Sequence, residues 1–248
     1  MKAGTTSLYS YMAAHPQIAM PAVKELDYFV AELNWPRGLA WYQAQFPDRP
    51  QGVLAGDVSP NYTKYPLFGG VPERMAKVLP AAKLIYVLRD PVHRMRSHWI
   101  HAVDARTLDS PLERTLLEEP YFRQCSSYGM QLERYLEHYP SERVLLVTAE
   151  DLRRKRDQVL HRVWSFLEID ATWRPANDVA LHESEAKRVP RRWIPGKRLA
   201  RRRLRDAEAR ISPDTHARLH ELLRPDMERL ARRMPSDFDA WGILDQTR

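Results

Sequence analysis

Lys2-Ala3-Gly4-Thr5-Thr6-Ser7 sets a lysine, a glycine and three hydroxyl side chains directly ahead of a segment with helical spacing. Gly4 allows a tight turn, after which the amides of Thr5, Thr6 and Ser7 point at an anion with the helix dipole behind them. The Thr5 and Thr6 hydroxyls add donors, and Lys2 can place a positive charge on the same oxyanions. Taken alone, the six residues also read as a plain helix start. A nucleoside triphosphate loop requires Gly-Lys-Ser/Thr, with the hydroxyl on magnesium and an acidic metal ligand elsewhere. Here the lysine precedes the glycine, so that pattern fails and metal-free anion chemistry fits better.

Three further groups carry chemical potential. Arg89 follows the apolar run Leu84-Ile85-Tyr86-Val87-Leu88 and offers a planar fork of donors suited to a phosphate; an ion pair with Asp90 is the structural alternative. Lys24 and Glu25 stand side by side, a combination that is ordinarily a surface ion pair. Asp57-Val58-Ser59-Pro60-Asn61-Tyr62 lines a cleft or forms a turn held by Asp57 and Ser59.

The elements that position these groups follow from periodicity. Leu8, Tyr11 and Met12 lie at i, i+3, i+4 and predict a helix over 5–14 that stops at His15-Pro16. Gly52–Gly56, Lys83–Leu88 and Arg143–Val147 read as buried strands, and 72–79, 92–104, 128–139 and 155–168 as helices. Strand and helix alternate, which argues for a parallel sheet with helices on both faces. Past Pro190 the chain turns arginine-rich. Ser212-Pro213 then opens an apolar-striped helix with Pro225 inside it as a predicted kink. The expected architecture is a single α/β domain over 1–248, P-loop-like and three-layered, with a helical C-terminal lobe. Residues 1–170 are the expected cofactor-binding core, and 171–248 a basic loop and helices.

Several of these motifs, in this order, resemble the 3′-phosphoadenosine 5′-phosphosulfate (PAPS)-dependent sulfotransferases, in particular the heparan sulfate branch and its bacterial relatives. The resemblance runs through Lys2–Leu8, His15-Pro16-Gln17-Ile18, Lys24-Glu25-Leu26-Asp27-Tyr28-Phe29, Gly56–Tyr62 and Leu88-Arg89-Asp90-Pro91-Val92 followed by Ser97. It implies that PAPS is the donor, that Lys2 to Ser7 cradle it, and that Arg89 and Ser97 hold its 3′-phosphate. It also implies that Glu25 is the general base, with Lys2 steadying the leaving phosphate and Lys24 assisting. Lys187 and Arg188 fall where relatives have a cofactor-covering loop. A sulfuryl group carries less charge than a terminal phosphoryl group, so no metal is expected. The chain departs from the family motif at Leu26, usually proline, and at Asp27, commonly histidine, which bears on the acceptor class more than on the reaction.

Among 248 residues, 44% are hydrophobic and 29% charged, as in an ordinary globular enzyme. A single cysteine, Cys125, excludes an internal disulfide framework. No apolar run reaches membrane-span length and no secretory signal opens the chain, so a cytoplasmic protein is expected. The net charge of +7 points to an anionic partner and is concentrated in Lys187–Arg210. Arg198, Arg201, Arg202, Arg203 and Arg205 there grip an anionic acceptor or form a solvated helix face. No nucleic-acid motif accompanies the charge. The expected partner is a small-molecule or carbohydrate acceptor; a nucleotide kinase and a catalytically silent basic binding module are the competing readings. A loop of this kind follows a buried strand, and only Met1 precedes Lys2. The expectation is therefore an N-terminally shortened chain with an open apolar slot in its sheet.

Overall fold

The structure, a computed structural model, describes residues 3–175 and 209–245. Lys2, Lys187, Arg188 and most of the arginine-rich stretch lie outside the described residues.

Among the described residues, four strands form two parallel pairs. β1 (Ile18–Ala19) pairs with β2 (Leu54–Ala55), and β3 (Leu84–Leu88) pairs with β4 (Val144–Thr148) in a register that sets Leu88 opposite Thr148. The expected strands are present, with β1 in addition. The parallel sheet expected at the centre is divided, because no described strand joins the two pairs.

The described helices are α1 (Thr5–Ala14), α2 (Gly38–Gln43), α3 (Val71–Val78), α4 (Pro91–Asp104), α5 (Leu112–Glu118), α6 (Pro120–Gln124), α7 (Tyr128–Leu136), α8 (Ala149–Arg154), α9 (Arg156–Leu167) and α10 (Pro213–Ala231); α1, α3, α4, α7, α9 and α10 stand where periodicity predicts them, and α2, α5, α6 and α8 are additional. Side chains of β3 alternate between two layers, as the strand period demands. Ile85 and Val87 pack with Leu8 and Met12 of α1 and Leu160 and Trp164 of α9. Tyr86 and Leu88 pack on the opposite face with Val92 and Met95 of α4, Leu132 of α7 and Leu223 of α10. The molecule is thus an α/β protein with three layers.

The C-terminal lobe is fastened by a buried carboxylate. Ser212 caps α10 by accepting from the Thr215 amide at 3.3 Å, and Pro213 occupies the first turn. Farther along that helix, Asp226 accepts from the amides of Gly129 (2.9 Å) and Met130 (2.8 Å), closing the N-terminus of α7. Gly129 is required by this approach, since a Cβ there would lie 2.7 Å from the Asp226 carbonyl oxygen. α10 continues through Pro225 as a single helix. No described helix is long and apolar enough to cross a membrane.

Candidate active site

Gly4 enters α1 in the left-handed conformation (φ 83°, ψ 11°), which glycine adopts without a Cβ penalty, and no side chain caps the helix. The Ser7 amide closes onto the Gly4 carbonyl at 3.1 Å. The amides of Thr5 and Thr6 precede any possible intrahelical acceptor, so the helix start presents them outward. Gly4 and Thr6 are exposed, while Ala3 and Leu8 are buried and hold the turn against the core.

The turn stands at the carboxyl end of the β3–β4 pair. A Cβ built on Gly4 would lie 3.4 Å from the Ala149 Cβ. Ala149 directly follows Thr148, which is opposite Leu88, and Leu88 directly precedes Arg89. Backbone register therefore brings Arg89 and the Gly4 turn to the same rim, where ligands bind in open α/β sheets. The Arg89 carbonyl accepts from Tyr128 Oη at 2.8 Å, which fixes the backbone there. Asp90 is committed to α4: it accepts from the His93 amide at 2.9 Å and lies 3.2 Å from His93 Nδ1. Ser97 is half-buried on α4, about two turns past Pro91. Arg94 points the other way, into the core, and donates to Ser126 Oγ at 2.6 Å and the Phe122 carbonyl at 2.7 Å. Arg96 donates to the Ala209 carbonyl.

The Lys24-Glu25 pair meets the start of α1. Lys24 Nζ donates to Thr6 Oγ1 at 3.1 Å and lies 3.7 Å from Glu25 Oε1. Lys24 uses a lone pair of the Thr6 hydroxyl and leaves its proton to donate. Glu25 is 49% exposed, accessible to an incoming acceptor. Its backbone is held by strain and burial together. Glu25 (φ 66°) and Asp27 (φ 47°) both occupy the left-handed region, which costs a non-glycine residue of order 1–3 kcal/mol. Between them Leu26 is buried in a cluster with Tyr28, Phe29 and Val30, and its carbonyl accepts from Asn34 Nδ2 at 2.9 Å.

Beneath this loop lies a polar network. Asp57 accepts from Ser59 Oγ (2.9 Å), Tyr62 Oη (2.6 Å) and Tyr42 Oη (3.4 Å). Burial raises its pKa, and the three donors oppose that rise. The Ser59 hydroxyl also accepts from the Asp27 amide at 3.0 Å, and Asn61 Nδ2 donates to Asp27 Oδ2 at 2.8 Å. Asp27 Oδ1 is buried with no hydrogen-bond partner among the described residues. Desolvation pushes the Asp27 pKa up to about 6; Asn61 opposes this, and the charges of Glu25 and Asp57 add to it.

Of the sequence-predicted residues, the fold joins Thr6, Lys24 and Glu25 by direct contact. It brings Ala3, Gly4, Thr5 and Ser7 to the rim that carries Arg89. Sequence reasoning did not foresee that Tyr42 and Tyr62 converge on Asp57, nor that Asp27 is a half-buried carboxyl. The spacing of 34 residues between Asp27 and Asn61 carries no pattern to reveal it.

The described residues thus combine a three-layer α/β fold with an uncapped helix start, an arginine at the adjacent strand end and a Lys-Glu pair touching the loop. The sequence profile of the family described as "Sulfotransferase domain" matches residues 1–189, and the chain belongs to that family. Among its relatives is the bifunctional heparan sulfate N-deacetylase/N-sulfotransferase 1 of Caenorhabditis elegans, 26% identical over 184 residues. That alignment takes in 68% of this chain and 21% of the worm protein. Human heparan sulfate glucosamine 3-O-sulfotransferase 3B1 is 30% identical over 175 residues, covering 67% of this chain and 43% of the relative. The chain thus spans less than half the length of either protein. A crystal structure of a sulfotransferase from Alicyclobacillus acidocaldarius superposes with a TM-score of 0.76 at 24% identity, over 97% of this chain and 95% of that one, and so shares its fold.

Proposed function

We propose that this protein transfers a sulfuryl group from PAPS to a hydroxyl or amine of a carbohydrate or small-molecule acceptor. The observation that carries the reading is the Lys24 ammonium, held between the Thr6 hydroxyl and the Glu25 carboxylate. It joins an anion-binding helix start to a base within one side chain's reach. PAPS supplies an activated sulfuryl group and a stable bisphosphate leaving group.

The amides and hydroxyls of Thr5 and Thr6 hold the 5′-phosphate end of the donor, with Lys2 steadying charge on the bridging oxygen as it departs. Arg89 and Ser97 take the 3′-phosphate, a bidentate task for which a guanidinium is suited. Glu25 accepts the acceptor's proton as the new oxygen–sulfur bond forms and the sulfur–bridging-oxygen bond breaks in line. Lys24, 3.7 Å from Glu25 Oε1, lends positive charge to the sulfuryl oxygens. Residues 1–170 are assigned donor binding and 171–248 the basic lobe, with Lys187 and Arg188 assigned to the donor phosphates on the family resemblance alone.

Titration calorimetry with adenosine 3′,5′-bisphosphate, against ATP with magnesium, tests the assignment. The bisphosphate is expected to bind without metal and ATP to bind weakly or not at all. Binding of magnesium-ATP with none of the bisphosphate overturns the reading in favour of a kinase.

A further inference from the structure

The segment 22–25 carries the Lys24-Glu25 pair with little backbone support. Pro21 and Leu26, on either side of it, are buried, whereas Ala22, Val23 and Glu25 are exposed. Among the described residues, no backbone–backbone hydrogen bond joins 22–25 to the rest of the protein. Glu25 also holds its left-handed φ of 66° without such a bond. The position of the pair therefore depends on what its side chains touch.

The Lys24 ammonium meets Thr6, Tyr9 and Glu25. Thr6 and Tyr9 are three residues apart on α1, a spacing that makes them neighbours on one face of the helix. Thr6 Oγ1 accepts from Lys24 Nζ at 3.1 Å, and the Tyr9 ring centroid lies 5.5 Å from the same nitrogen. An ammonium within about 6 Å of an aromatic face is attracted by the ring quadrupole, the more strongly where both groups are withdrawn from water. Both are withdrawn here: the Lys24 side chain is 25% exposed, and Tyr9 is half-buried. The Tyr9 hydroxyl reaches the Pro21 carbonyl at 3.5 Å, which is long for a hydrogen bond. The ring, rather than the hydroxyl, thus makes the stronger contact with the loop.

We propose that Tyr9 is the positioning residue for Lys24: its ring face holds the ammonium beside the first turn of α1, where the sulfuryl end of the donor would lie. The assignment rests on the transfer reaction proposed above and adds to it a residue that itself touches neither donor phosphate nor acceptor. An aromatic ring suits the task because it carries no charge. A carboxylate in its place would hold the lysine more firmly, yet it would cancel the positive charge that the sulfuryl oxygens require. Thr6 likewise holds Lys24 through a neutral oxygen. Without the ring, the flexible four-carbon stem of Lys24 can swing toward Glu25, where its charge is spent on the base rather than on the sulfuryl group.

PAPS and adenosine 3′,5′-bisphosphate differ by the sulfuryl group, so their affinities isolate what Lys24 does to that group, and titration calorimetry reads both without an acceptor. Tyr9→Leu keeps apolar bulk and removes the ring face. It is expected to weaken PAPS roughly threefold to thirtyfold and to leave the bisphosphate within about twofold of the parent. Tyr9→Phe keeps the ring and is expected to bind both nucleotides as the parent does. Should the leucine variant fail to fold, pentafluorophenylalanine at position 9 keeps the phenylalanine shape with the ring quadrupole reversed, and is expected to reproduce the selective loss of PAPS. Equal weakening of both nucleotides, or of neither, overturns the assignment of Tyr9 and leaves the proposed function standing. A Tyr9→Phe variant with the same selective loss overturns it too, by making the hydroxyl the working group. If the parent binds neither nucleotide, the proposed function fails and the assignment falls with it.

Discussion

The Lys24 ammonium stands 3.1 Å from the Thr6 hydroxyl and 3.7 Å from a Glu25 carboxylate oxygen, so one cation ties the start of α1 to the candidate base. Eighteen residues separate Lys24 from Thr6 in sequence, and the contact exists because the buried Leu26–Val30 segment fixes the loop against the core. Electrostatic preorganisation of this kind acts on charge that develops during a reaction rather than on the resting substrate.

Glu25→Gln removes the proton acceptor and keeps the shape. Transfer of label from PAPS is expected to fall by roughly a hundredfold to ten-thousandfold, the usual contribution of a positioned base. Calorimetric affinity for adenosine 3′,5′-bisphosphate should stay within about twofold, because Glu25 contacts Lys24 and not the α1 amides. Retained transfer removes Glu25 from the mechanism.

Arg89→Ala is expected to weaken binding of the bisphosphate by roughly tenfold to a hundredfold, the scale of a charge-assisted hydrogen-bonded contact. Adenosine 5′-phosphosulfate, which lacks the 3′-phosphate, should bind the variant and the parent protein equally. A loss that is the same for both ligands assigns Arg89 a structural role. Its backbone carbonyl is already used by Tyr128, and the substitution leaves that bond intact.

Much of this site could be read before the fold was known, because its chemistry is written in short local runs. Gly4 must take a left-handed turn for the loop to form, and it does so at φ 83°. Arg89 is carried to a strand end by five consecutive apolar residues, and register does the rest. What could not be read depends on contacts between distant parts of the chain. Asp57 gathers tyrosines from α2 and from the turn after Pro60, and no local pattern distinguishes a hub aspartate from a turn aspartate. Likewise Asp226 resembles one more polar position on the exposed side of α10. Only the packing of α10 on α7 makes it a buried cap. The separation of the described strands into two parallel pairs, β1 with β2 and β3 with β4, required coordinates.

Asp226→Ala should destabilise the protein by about 2–3 kcal/mol. It strips two amides at the start of α7 of their acceptor in a buried setting, combining a lost cap with unsatisfied donors. Gly129→Ala should cost about 1–2 kcal/mol despite the better helix propensity of alanine. The new Cβ would meet backbone oxygen at 2.7 Å and the Arg229 Cβ at 2.9 Å. Urea denaturation measures both. A Gly129→Ala variant as stable as the parent would mean that α10 shifts away from α7 at little cost.

Asp27 gives the protein a pH-dependent element with a definite sign. Burial pushes its carboxyl up to about 6 in the fold, from an ordinary 3.8, with desolvation the main cause. The folded state therefore holds this proton more tightly than the unfolded chain does. Its contribution to stability is fully present below pH 3.8 and is lost as pH rises through 6. Above that, an ionised carboxylate sits in a partly desolvated site with Oδ1 unpartnered and Glu25 and Asp57 nearby. Asp27→Asn presents a neutral amide whose carbonyl oxygen can accept from Asn61 as Oδ2 does now. Relative to the parent, the variant should be more stable at pH 7.5 than at pH 4.5, with the difference developing between pH 4 and 6. Paired urea titrations at the two values measure this double difference, which cancels the other titrating groups common to both proteins. A difference that does not change with pH, or that favours the parent as pH rises, would show that Asp27 is ionised at no cost in the folded protein.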